Sequence, residues 1–141
     1  MILKQWLEKE ESAKIYLDNA NRWLEAGDSI NRVPGEMATS VFWVIERWLV
    51  QRGIKPDFRS GWGSMKAQFF KLAPKKLSQM AMRILAKTTL LECEIEGYYP
   101  SRKWSLERWN KEAKNCVTEI KRFIEAMERN LSSQSSNLRQ S

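Results

Sequence analysis

A chain of 141 residues that is 43% hydrophobic and carries 7 tryptophans can bury one core of its own, which excludes a disordered segment or a stapled mini-protein. It holds no histidine, so serine–histidine and cysteine–histidine nucleophilic pairs are excluded and the commonest transition-metal ligand is missing. The formal charge is +7, and its placement matters more than its size.

In chain order, Leu3, Trp6 and Leu7 lead into Ala13, Tyr16, Leu17, Ala20, Trp23 and Leu24. This i, i+3, i+4, i+7 spacing predicts a helix from Leu3 to Ala26, stopped by Gly27. The opening MILKQWLEKEESAK turns charged too soon for a signal peptide, and no apolar run reaches the length of a membrane span. A cytoplasmic protein with no membrane segment is expected.

After a short turn, GDSINRV, the stretch PGEMATSVFWVIERWLVQRG predicts a second helix from Pro34 to Arg52. Proline suits a first helical position and Gly53 a left-handed end. On a wheel, Met37, Ala38, Val41, Phe42, Val44, Ile45, Trp48 and Leu49 form one wide apolar face. Trp43 and Val50, seven residues apart, form a second stripe on the back between Glu46 and Arg47. Such a helix is either central in a bundle or shared between two subunits, which makes Trp43 and Val50 candidates for self-association.

In GIKPDFRSGWGSMK, Pro56, Gly61 and Gly63 oppose a regular element, and Phe58 and Trp62 are expected to fold inward. G-W-G lacks the spacing and the preceding strand of a dinucleotide fingerprint, so a glycine-shaped loop is the better account. A short helix is predicted from about Ser64 to Leu72. Pro74 opens a longer one to about Glu96, with Leu77, Ala81, Ile84, Thr88, Leu91 and Ile95 at alternating fours and threes. Its acids Glu92, Glu94 and Glu96 oppose the helix dipole and are expected in solvent. GYYPSRKWS breaks the chain; Tyr98 and Tyr99 are read as packing that turn. Ser105 then caps a last helix to about Arg129, with Trp109, Ala113, Cys116, Val117, Ile120, Phe123, Ile124 and Met127 on one side. The polar LSSQSSNLRQS has no periodicity. The expectation is an all-α fold, an up-and-down bundle of four main helices plus one short helix. One domain spans 1–130, and 131–141 form a mobile tail.

Cys93 and Cys116 lie on apolar stripes and are read as buried, reduced thiols; neither a metal site nor a cofactor is expected. Between Arg47 and Lys87 stand ten bases and one acid, Asp57, while the other 14 bases and 16 acids nearly cancel. The positive excess thus lives in one contiguous third, the footprint of a surface that meets phosphate or an acidic partner; a solvated face with no partner is the plainer alternative. Candidate contacts are Arg52, Lys55, Arg59, Lys66, Lys75, Lys76, Arg83 and Lys87.

The order of these features resembles the HEPN family of prokaryotic helical domains, particularly its small stand-alone members. The likeness covers about Ala13 to Met127 and rests on layout and on fragments such as FWVIERWLVQRG and EGYYPS. It implies an up-and-down bundle, commonly a homodimer, often encoded beside a small nucleotidyltransferase. Catalytic members are metal-independent ribonucleases with an Arg followed four to six residues later by His. On a shared helix face, the arginine can hold a phosphate while the imidazole moves a proton. Here that pattern fails: with Arg83 in the arginine position, the partner would fall at Thr88, Thr89 or Leu90. The expectation is a non-catalytic module that engages RNA, a nucleotide or an acidic protein. The alternatives are a ribonuclease toxin acting without histidine, and a subunit of a defence or toxin–antitoxin assembly.

Overall fold

The computed structural model describes the backbone of residues 2–96 and 104–140, with side chains over 13–95 and 104–132. Five helices account for most of it: α1 (Ile2–Ala26), α2 (Val33–Gln51), α3 (Trp62–Leu72), α4 (Lys75–Glu96) and α5 (Leu106–Gln140). No strand occurs among the described residues, so the fold is an all-α bundle.

Backbone signals set the helix ends. The Gly53 amide donates to the Val50 carbonyl at 3.0 Å and the Ile54 amide to Leu49 at 2.9 Å. This pairing closes α2 only if residue 53 is left-handed, and Gly53 has φ of 74°. Gly27 does the same for α1, with Asp28 donating to Trp23 at 3.1 Å and φ of 68° at the glycine. The Ser105 hydroxyl accepts from the Arg108 amide at 3.1 Å, the expected N-cap of α5.

Cross-links between helices fix their directions. Ser40 of α2 donates to the Ala13 carbonyl of α1 at 3.0 Å, and the Trp109 indole of α5 donates to the Leu91 carbonyl of α4 at 2.9 Å. Lys87 pairs with Glu112, nearer the middle of both α4 and α5. Arg47, late in α2, meets Glu128, late in α5, at 3.5 Å. Hence α4 runs antiparallel to α5, and α2 runs parallel to α5.

The α2 helix contacts all four others, so it is central in the bundle. Val41, Ile45, Trp48 and Leu49 are at most 1% exposed. Burying side chains of this size contributes about 1.5–3 kcal/mol each. The Trp48 ring meets Phe69 of α3 edge-on at 5.3 Å, which pins α3 across the bundle. Trp43 and Val50, on the opposite stripe, are half-buried, and Trp43 meets the Trp62 ring at 6.0 Å.

Several expectations need correction. Gly63 does not break α3: the helix starts at Trp62 behind Gly61, whose φ of 65° turns the chain, and a first-turn glycine costs only entropy. Phe58 is not folded inward but stays 47% exposed. Glu94 is buried rather than in solvent, and Cys93 is half-buried rather than buried. Arg47, counted as surface charge, is buried beside Glu128. The backbone of α5 continues past Arg129 to Gln140, because the segment expected as a tail contains neither proline nor glycine to stop it. Tyr98 and Tyr99 lie outside the described residues. Among the described residues, no helix is long and apolar enough to cross a membrane.

Candidate nucleic-acid interface

Packing divides the basic third into cations already engaged and cations left to solvent. Arg52 lies over the Trp48 ring, 4.0 Å from its centroid, and also donates to the Asn130 side-chain oxygen. Burial there lowers the pKa of its guanidinium. Arg59 is bound to Asp57 at 2.8 Å, and this pairing pulls the Asp57 carboxyl down to about 2. Both arginines follow α2, Arg52 at its C-terminal end and Arg59 on the turn before α3.

On α4, Lys76, Arg83 and Lys87 stand at i, i+7 and i+11, within about 40° of one another around the helix. Lys75 is exposed at the start of the same helix. Lys55 is exposed on the turn after α2, and Lys66 is half-buried on α3. The sequence-based set of eight therefore resolves into an α4 row, an α2–α3 group, and Arg52, half-buried over Trp48.

The α4 row borders α5. Arg83 and Arg122 line one cleft of about 200 Å³ between the two helices, floored by Met80 and Ile84 and bordered by Glu119. Two cations thus face one carboxylate. One turn along, Lys87 pairs with Glu112, whose carboxyl is held below its ordinary value mainly by that hydrogen bond. Beyond it stands Trp104, with the Arg108 guanidinium 4.6 Å and the Lys87 ammonium 5.9 Å from its ring centroid. Cations over an indole face hold the ring by its quadrupole and rim it with positive charge. The resulting band runs from Arg83 and Arg122 through Lys87 to Arg108 and Trp104.

Two other surface hollows have the opposite balance. One is lined by Asp18, Arg22 and Glu25, with Ile15 and two asparagines; the other has Lys14 and Lys121 against Asp18, Glu125 and Glu128. Positive charge combined with concavity marks the α4–α5 cleft out from both. Its volume lies below the roughly 300–1,000 Å³ of pockets that enclose small molecules, so it suits a phosphate group better than a whole nucleotide.

Arg108 and Arg122 were not among the residues singled out from sequence. Both lie in α5, where acids and bases interleave and net charge gives no signal; their place beside α4 is a tertiary fact. The i, i+7, i+11 spacing of Lys76, Arg83 and Lys87 was the available hint of a single cationic row.

Cys116 lies within the same interface, but burial, seconded by the Glu119 charge, pushes its thiol up to about 12, which leaves it un-ionised. No group of three or more histidine, cysteine, aspartate or glutamate side chains able to hold a metal ion occurs among the described residues.

Comparison with known proteins gives no family. The chain matches no protein-family model, no curated protein and no solved structure.

Proposed function

We propose that the protein is a non-catalytic RNA-binding module, HEPN-like in layout, whose α4–α5 cleft takes a backbone phosphate. The observation that carries this reading is the pair Arg83 and Arg122, brought by two helices into one concave site. Guanidinium groups match phosphate geometry with paired donors, and a ligand extending toward Trp104 would meet Arg108 and the Lys87–Glu112 pair beyond the cleft. Duplex and single-stranded RNA both offer backbone phosphates to such a site. An isolated nucleotide would use only one end of the band.

The absence of any histidine in the chain supports binding without turnover. No ionisable group near neutrality stands beside Arg83 on α4, where Thr88, Thr89 and Leu90 follow it. Both arginines come from one chain, so the reading is independent of the homodimer and of the nucleotidyltransferase partner that the family resemblance implies.

Fluorescence anisotropy with a labelled RNA tests it. Affinity should fall steeply between 50 and 200 mM salt, on the order of tenfold or more. Arg83→Ala and Arg122→Ala should each weaken binding and lower the salt slope by about 0.7 on a single strand. The RNA should be recovered intact. No binding at low ionic strength, or affinity indifferent to both arginines, would sink the proposal, and cleavage abolished by Arg83→Ala would replace it with a nuclease.

A further inference from the structure

The turn between α2 and α3 is held more firmly than a connecting loop requires. The Asp57 amide donates to Gln68 Oε1 at 2.9 Å, and Gln68 Nε2 donates to the Lys55 carbonyl at 2.9 Å. Ser64 Oγ donates to the Asp57 carbonyl at 2.7 Å and accepts from the Ser60 amide at 3.0 Å. The Gly61 amide closes the turn on the Phe58 carbonyl at 3.0 Å. Two α3 side chains, Gln68 and Ser64, thus clamp the backbone on both sides of Phe58.

What the clamp holds up is an aromatic ring in water. Phe58 is 47% exposed, although it lies against an aromatic stack that could have buried it. Beneath it, Trp62 is parallel to Phe42 with centroids 5.2 Å apart and planes 6° apart, and Phe58 meets Trp62 edge-on at 5.8 Å and 72°. The stack fixes the ring's tilt while one part of its surface stays open. On the same turn Lys55 and Arg59 are exposed, and on the first half of α3 Lys66 is half-exposed. Asp57 binds Arg59 through Nε and Nη2, which leaves Nη1 for an anion and holds the guanidinium in place.

We infer that Phe58 is a stacking platform for an unpaired nucleobase, with Lys55, Arg59 and Lys66 holding the flanking phosphates, so that the RNA bound is single-stranded. This rests on the RNA-binding reading and adds a second contact to it. A base offers a flat π-face to the ring and its flanking phosphates carry the negative charge that lysine and arginine bind, whereas paired bases in a duplex have no free face to give. The rigid turn makes binding cheap, because the ring needs no ordering when the ligand arrives. The α3 helix that supports the platform also touches α4, which carries Arg83.

The test uses Phe58→Ala and Phe58→Tyr in the full chain, with a mixed-sequence 12-nucleotide RNA, its duplex, and polyglutamate as probes. Phe58→Ala should weaken the single strand about tenfold and the duplex little, as expected for loss of one stacked base. Phe58→Tyr, which keeps the ring, should restore single-strand affinity, and matched circular dichroism melts show that both variants fold. If Phe58→Ala leaves the single strand unaffected, or weakens duplex equally, the platform is overturned while salt-dependent binding through Arg83 and Arg122 still stands. Equal loss for polyglutamate and RNA overturns it in favour of an acidic protein partner. A wild-type chain that binds neither RNA overturns both readings together.

Discussion

The side-chain oxygen of Asn130 accepts the indole N–H of Trp48 at 3.0 Å, joining the second half of α5 to the last turns of α2. The same oxygen also receives Arg52, which lies over the Trp48 ring. One amide oxygen therefore serves the indole N–H of a tryptophan that is 1% exposed and one nitrogen of the guanidinium that covers it.

Removing that acceptor strands two donors at once. Asn130→Ala is expected to cost about 2 kcal/mol, or roughly 6 °C in Tm. Asn130→Asp keeps an oxygen for both donors and should stay within about 1 kcal/mol of wild type. Thermal melts followed by circular dichroism decide it, and an Asn130→Ala melt matching wild type would show that the bond contributes nothing.

The carboxylates predict how stability follows pH. Asp57 is held at about 2 by Arg59, and Glu112 below its ordinary 4.5 by Lys87. A carboxyl with a lowered folded-state pKa stabilises the fold above its ordinary range, and that contribution is lost as pH falls through the folded value. Glu36 has the opposite sign: burial raises it, so its contribution is present at low pH and is lost as pH rises. With no histidine in the chain, urea midpoints should be level from about pH 5.5 to 7.5 and decline below 4.5. Asp57→Asn should flatten the most acidic part of that decline, by a small and salt-sensitive amount because the pair is exposed. Glu36→Gln should raise the midpoint slightly at pH 7. A midpoint that drops between pH 7 and 6 would contradict this assignment.

Thiol chemistry separates the two cysteines. Cys116 is buried, with its thiol pushed up to about 12, while Cys93 is half-buried. A disulfide reagent added to the native protein should titrate Cys93 alone and reach Cys116 only in denaturant. Two equivalents released at equal rates from folded protein would show that the α4–α5 interface opens readily.

The helices were legible in the sequence because their apolar residues keep a 3.6-residue period and because Gly27, Gly53 and Ser105 mark ends by backbone geometry. The end of α5 was not, since a polar segment free of proline and glycine carries no stop signal and no apolar period either. The candidate site was half legible. Lys76, Arg83 and Lys87 could be read as one row, but counting charge along the chain could not show that Arg47 is buried or that Arg52 is spent on Trp48 and Asn130. Nor could it find Arg122, whose neighbour Arg83 lies 39 positions earlier in the chain. Glu94 was misplaced for the same reason: its burial depends on what packs against α4, not on α4 itself.

Because α2 is finished by Gln51 and the α5 residue that caps Trp48 is Asn130, synthesis leaves the side of α2 that faces α5 uncovered on the ribosome. At about 5–20 residues per second that interval lasts on the order of ten seconds. Chains cut short before the final helix would carry this greasy seam permanently, and they are the ones that should clump or recruit chaperones in a producing cell.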